Sequence, residues 1–164
     1  AALALSAGIG GMVGGQMLDL EAEGRFAAGR LATANTPDAA HIERLQGLKT
    51  GALIVFGAEA GALMAARPRT GDGAALRRYG AALGLAFQIR DDLIDVEVDA
   101  ATAGKATGKD TALGKATFVG LLGVAGAQAR LDAVTRDGHA ALKRFGGRAS
   151  ALAEVLEFNR TRRS

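Results

Sequence analysis

Apolar residues recur at helical spacing along this chain, in runs parted by glycine, proline and short polar stretches. The first run, Ala1 to Gly15, is small and apolar except for Ser6 and has no capping residue ahead of it. It reads as a core helix entered midway, in which Gly10, Gly11, Gly14 and Gly15 permit close approach of a second helix at about 1 kcal/mol of helix propensity each. Gln16, Asp19 and Glu23 then share one helical face before Gly24 breaks the pattern. Phe26 to Thr36 is a polar loop, and Thr36-Pro37 supplies an N-cap and a first-turn proline for a helix from Ala39 to Ala66. Inside that helix Lys49-Thr50 interrupts an apolar run, with Gly47 and Gly51 on either side. Arg67-Pro68 stops it, and Arg69 to Gly73 is a turn. A further helix is predicted from Ala74 to Val98, followed by a linker from Asp99 to Thr111 that lacks apolar anchors. Two last helices, Thr117 to Phe145 and Arg148 to Arg160, are divided by Gly146-Gly147. They carry core-facing patterns, with Leu121, Leu122, Val124, Leu131, Val134 and Leu142 in one and Leu152, Val155 and Leu156 in the other.

Composition sharpens this to an all-α fold. The 164 residues suit one domain with a real core, and 49% hydrophobic but only 4% aromatic residues, with 24 glycines, indicate closely packed helices rather than sheet. A net charge of +3, dispersed until the C-terminal NRTRRS, leaves no nucleic-acid footprint. The absence of cysteine excludes disulfide and thiol chemistry, and the two histidines, His41 and His139, stand too far apart in sequence to suggest zinc. Ala1 to Gly15 falls short of the ~20 residues a membrane span needs and lacks the charged start of a signal peptide, so no membrane span is expected.

Candidate chemistry concentrates in Tyr79 to Val96, YGAALGLAFQIRDDLIDV. On a helix, Gln88, Asp91, Asp92 and Asp95 fall within an arc of roughly 100°, with Ala81 and Gly84 extending the stripe upstream. Leu85, Ile89, Leu93 and Val96 wall it on one side and Phe87 and Ile94 on the other, while Arg90 lies behind. A narrow acidic seam between apolar walls is expected to face a cavity. Crowded carboxylates repel and need a neutralising cation; Asp91 and Asp95, one turn apart, suit Mg²⁺, which prefers oxygen and takes one or two carboxylates plus substrate phosphates. Beyond the seam, Lys105, Lys109 and Lys115 lie where they could neutralise a polyphosphate, although the spacing is not that of a P-loop.

GGQMLDLEAEG, LKTGALI, LAFQIRDDLID and GKATGKDTALGKAT, in this order, resemble the C-terminal half of a trans-isoprenyl diphosphate synthase (the polyprenyl synthetase family), of the bacterial farnesyl diphosphate synthase type. The resemblance implies an isoprenoid-synthase-type helical bundle around a central cavity, with residues 1–164 its C-terminal portion. Asp91, Asp92 and Asp95 match the second of the family's two aspartate-rich, Mg²⁺-binding motifs, and Phe87 and Gln88 the FQ pair ahead of it. Lys49 and Thr50 match the pair that contacts the allylic diphosphate, Lys105 and Lys115 the later lysines near that group, and Gln16 and Asp19 the GQxxDL segment lining the site.

The family's first aspartate-rich motif and its isopentenyl diphosphate site are missing from this chain, which makes it either a fragment of a longer enzyme or a reduced homologue that needs a partner; the remaining motifs are intact, so a fragment, inactive alone, is expected. The implied reaction is Mg²⁺-dependent condensation of an allylic diphosphate with isopentenyl diphosphate, by ionisation, condensation and elimination, in a cytoplasmic homodimer. Ala81 and Gly84 would leave room for hydrocarbon. The rival reading is a helical binding or assembly module whose acidic helix pairs with a partner.

Overall fold

A computed structural model describes residues 1–22, 25, 39–65, 69–102 and 117–163, and every regular element among them is helical. The expected loop at 26–36, the Thr36-Pro37 cap and the linker from residue 103 to 111 lie outside the described residues.

The N-terminal run is two helices rather than one, α1 (Ala2–Ala7) and α2 (Met12–Ala22). Its glycines divide the work differently from the expectation. A Cβ on Gly11 would sit 2.0 Å from the Ser6 carbonyl oxygen and one on Gly14 1.9 Å from that of Ile9, so these two serve the bend between the helices. Gly15 alone makes the close approach, since its Cβ would lie 2.2 Å from the Lys49 backbone nitrogen. Nor is α1 a core helix: none of its residues is buried, and Leu3 and Leu5 are exposed, as is Ile9 in the bend.

The predicted helix from residue 39 is continuous but carries an interruption. It comprises α3 (Ala39–Gln46), a π-helical turn (Gly47–Gly51) and α4 (Ala52–Met64). The π turn inserts a residue into the helical ladder where Lys49-Thr50 sits, and such turns often mark functional positions. By length and composition the stretch Ala40–Met64 could cross a membrane, with a mean hydropathy of 1.2 in its most apolar window. It nevertheless holds charged groups paired to other helices: Lys49 to Asp19, and buried Glu59 to Arg77 at 2.9 Å.

The axis of the fold is α5 (Asp72–Thr102), longer at both ends than its apolar pattern predicts, so the expected linker begins later. Six of its buried apolar side chains, Ala75, Tyr79, Ala82, Ala86, Ile89 and Leu93, alternate by four and three residues and form one seam. They pack against α6 (Phe118–Leu142), where Ala127, Leu131, Val134 and Ala141 are buried in the same core. The helices run antiparallel, since Gly138 abuts Ala82 while the Phe118 backbone reaches Asp92. Leu121, Leu122 and Val124, expected in the core, are exposed. They flank Gly123, whose φ of 69° breaks the helix there. A 3₁₀ segment (Lys143–Ala149), turning at Gly146 with φ 57°, leads into α7 (Ser150–Thr161), on which Leu156 and Asn159 are buried but Val155 is exposed.

Two devices hold α7 in place. The Tyr79 hydroxyl donates to the Leu152 carbonyl at 2.8 Å, and burial pushes the phenol's pKa up. Nearer the C-terminus, Glu157 meets His139 at 2.7 Å and Arg160 at 2.8 Å, with Asp132 3.6 Å from Arg160. Hydrogen bonds from Arg160 and then His139 lower the Glu157 pKa below its ordinary 4.5. A depressed folded pKa stabilises above the ordinary value, and the contribution is lost as pH falls through the depressed one. Acidification below pH 4.5 is therefore expected to speed hydrogen exchange in α7 more than in α5, by no more than the about 1 kcal/mol an exposed pair supplies. Equal acceleration in both helices would show that the network does not anchor α7.

Candidate diphosphate and metal site

A glycine ladder sets the site's position. On α5, a Cβ at Gly80 would fall 2.7 Å from the Val55 Cα, and one at Gly84 3.0 Å from the Gly51 Cα. The backbones of α4 and α5 thus approach closely, and the next turn of α5 brings Gln88 to the π turn. Its Nε2 donates to the Thr50 hydroxyl at 3.2 Å. The space above Asp91 assigned to hydrocarbon is consequently filled, because Gly84 is packed on Gly51. Ala81 lies elsewhere, in an open groove of about 640 Å³ between α5 and α6 that Arg78 and Arg130 also line.

The π turn also meets α2. Lys49 Nζ donates to Asp19 Oδ2 at 2.5 Å, with both side chains partly accessible, and Gly15 lets the two backbones come together. Lys49, Thr50, Gln88 and Asp19 are therefore assembled from three sequence-distant helical segments, whereas Gln16, also on α2, is exposed. Gly15→Ala is expected to cost about 1–3 kcal/mol by overpacking, because its Cβ would strike backbone rather than a movable side chain. Chemical denaturation of the intact protein measures this, and an unchanged midpoint would mean that α2 does not rest on the π turn.

The aspartates do not converge on one point. Asp91 pairs with Arg162, just beyond α7, whose guanidinium also lies 4.5 Å from the centre of the Phe87 ring. Asp92 turns toward α6, accepting a hydrogen bond from the Phe118 N–H at 2.7 Å, and Asp95 is exposed. Among the described residues, no three Asp, Glu or His side chains are placed to hold a single ion. The expectation of a seam facing an enclosed cavity is corrected accordingly: its carboxylates meet the tail, a helix start and solvent, each satisfied separately. Asp91 and Asp95 still offer hard oxygen ligands one turn apart on the accessible side of α5, with Asp91 39% exposed. That donor set fits Mg²⁺ bound by one or two carboxylates with the remaining positions taken by phosphate oxygens and water. Lys105, Lys109 and Lys115 lie outside the described residues.

Arg90 lies behind the seam, as its helical phase predicts, but it is not idle. It is buried, donates from Nε to the Arg162 carbonyl at 2.7 Å, and forks onto Glu97 at 3.1 and 3.2 Å. Neither Arg90 nor Arg162 emerged from sequence reasoning as part of the site. The only signal was the basic tail itself, and its composition does not say where it docks.

The sequence model of the polyprenyl synthetase family matches residues 2–145. The chain belongs to this family. Farnesyl diphosphate synthase of Escherichia coli is 38% identical over 159 residues, covering 95% of this chain and 50% of that protein. The enzyme of the same name from Bacillus subtilis is 38% identical over 127 residues, covering 77% of this chain and 39% of its own length. Among solved structures, an FPP/GFPP synthase from Zymomonas mobilis superposes with a TM-score of 0.75 at 41% identity, covering 96% of this chain and 48% of that one. A geranyltransferase from Helicobacter pylori, crystallised with magnesium and isoprenyl diphosphate, gives a TM-score of 0.70 at 29% identity over 96% of this chain. This polyprenyl synthetase chain thus spans about half the length of the relatives it matches.

Proposed function

We propose that this chain is the C-terminal, diphosphate-binding portion of a prenyl diphosphate synthase that extends an allylic diphosphate with isopentenyl diphosphate to a farnesyl- or geranylgeranyl-type product. The observation carrying the reading is the placement of Lys49 and Thr50, on a π turn, against Gln88 one turn before Asp91. A flexible cation, a hydroxyl and two carboxylates on adjoining elements form a site for a polyanion with its metal. Homologues named farnesyl diphosphate synthase, and a structural neighbour holding magnesium and isoprenyl diphosphate, support the same chemistry.

Asp91 and Asp95 would hold Mg²⁺, with Asp92 beside them. When bound, the ion supplies positive charge to the departing diphosphate and orients it. The chain's own groups do the rest. Lys49 exchanges Asp19 for a diphosphate oxygen, and its charge counts most as negative charge grows on the leaving group. Gln88, tied to Thr50, fixes the hydroxyl beside that lysine, while Phe87 lends an aromatic face. Gln16 and Asp19 border the site from α2, and Lys105 and Lys115 add positive charge from the segment after α5. The carbon–oxygen bond of the allylic diphosphate breaks, the isopentenyl double bond attacks the cation, and a proton leaves.

The acceptor site and remaining metal ligands are assigned to a part of the enzyme outside this chain, so residues 1–164 alone are proposed to be inactive. A cytoplasmic homodimer without a membrane span is also proposed, the exposed Leu3, Leu5, Leu63 and Met64 of contacting helices offering apolar surface for a partner. The test is a radiolabelled isopentenyl diphosphate assay on the intact gene product with geranyl diphosphate, with Mg²⁺ and with chelator. Chain elongation only with the metal is the expected result. Elongation that persists in chelator, or none in either condition, would refute the reading.

A further inference from the structure

The C-terminal tail is held against α5 by contacts that converge on one side chain. Arg162 Nη2 donates to Asp91 Oδ1 and, at 3.5 Å, to the Phe87 carbonyl. Its Nε donates to Oδ1 of buried Asn159 at 3.2 Å, and its guanidinium stacks over the Phe87 ring. The backbone is held as well, for the Arg162 N–H donates to the Phe158 carbonyl at 2.8 Å and its own carbonyl accepts from Arg90. Only 14% of the Arg162 side chain remains exposed. A planar guanidinium gripped on its face, its edge and its backbone is preorganised, so little side-chain freedom is lost in pairing with Asp91.

We propose that Arg162 is the resident counter-ion of Asp91, and that a divalent cation takes Oδ1 of this carboxylate only by releasing the arginine and loosening the tail. This rests on the reading of Asp91 as a metal ligand. A cation at Asp91 Oδ1 would stand where the guanidinium nitrogen stands, and two positive groups cannot share that oxygen at contact distance without strong repulsion. The tail therefore competes with the metal. If the pair forms nine-tenths of the time, it weakens apparent cation affinity about tenfold. The charge of the tail thereby sets how readily the site loads, a role that no match to the aspartate motif would reveal.

The test uses the intact protein, with Mg²⁺ titrated calorimetrically in the presence of saturating inorganic pyrophosphate. Arg162→Ala is expected to bind Mg²⁺ about tenfold more tightly than wild type, with Arg162→Lys in between, since lysine keeps the charge but not the stacked fork. Hydrogen exchange of residues 158–163 supplies a second readout. Loading wild type should speed exchange of the Arg162 amide, although ligand binding ordinarily slows exchange near a site. Mg²⁺ binding that is weakened by Asp91→Ala yet equal in wild type and Arg162→Ala would overturn the inference while leaving the metal reading intact. Binding untouched by Asp91→Ala would overturn both.

Discussion

Asp91→Ala in the intact enzyme is expected to lower turnover by about a thousandfold while changing the unfolding midpoint little. The kinetic loss is electrostatic in origin. A carboxylate that holds a metal against a departing diphosphate acts where charge develops, and removing one such stabilising group commonly costs about 3–4 kcal/mol of barrier. The stability loss is small because Asp91 is 39% exposed, and its pair with Arg162 falls among ion pairs contributing up to about 1 kcal/mol. Arg90→Ala, one residue away, should show the opposite profile. It removes a buried cation and leaves the Arg162 carbonyl without its donor, so it should cost about 1–3 kcal/mol of stability with a far smaller kinetic effect. Steady-state kinetics and thermal unfolding on the two variants decide the matter. Comparable turnover in both would mean that Asp91 does not hold the metal.

Lys49→Ala carries the second large effect, a loss of about 100-fold or more in kcat/KM for the allylic substrate. The lysine is partly shielded from water and positioned by the π turn, so release of Asp19 is the step that frees its charge for an incoming oxygen. Its partner supplies the control. Asp19→Asn removes the competing carboxylate but keeps the lysine, and should retain most activity if Lys49 acts on substrate. Should both variants lose activity and stability in parallel, the pair is a brace between α2 and the π turn and nothing more.

Much of the helical content was legible because periodicity and breakers are local properties. The division at Gly146-Gly147 lies where two glycines permit it, and the helix from Ala39 shows the expected apolar run. Errors occurred where alanine and glycine carried the packing. Ala75, Ala82 and Ala86 are buried in α5, Gly80 is pressed on α4 and Gly84 on the π turn, yet small side chains leave little periodic signal to read. Gly84, which suggested room for hydrocarbon, is small because the Gly51 backbone occupies the space.

By itself, the sequence determined the all-α class, the crowding of three carboxylates on one helix and, through ordered motifs, the likeness to prenyl synthases. These depend on residue type and on spacing along a single helix. Only the tertiary structure decided that Lys49-Thr50 forms a π turn, that Asp19 reaches it, that Asp92 turns to α6, and that Arg162 returns to Asp91. Those pairings join residues 26 to 71 positions apart. Close backbone approach at Gly15 brings Asp19 to Lys49, and at Gly80 and Gly84 it brings Gln88 to Thr50, and local patterns carry no record of such contacts.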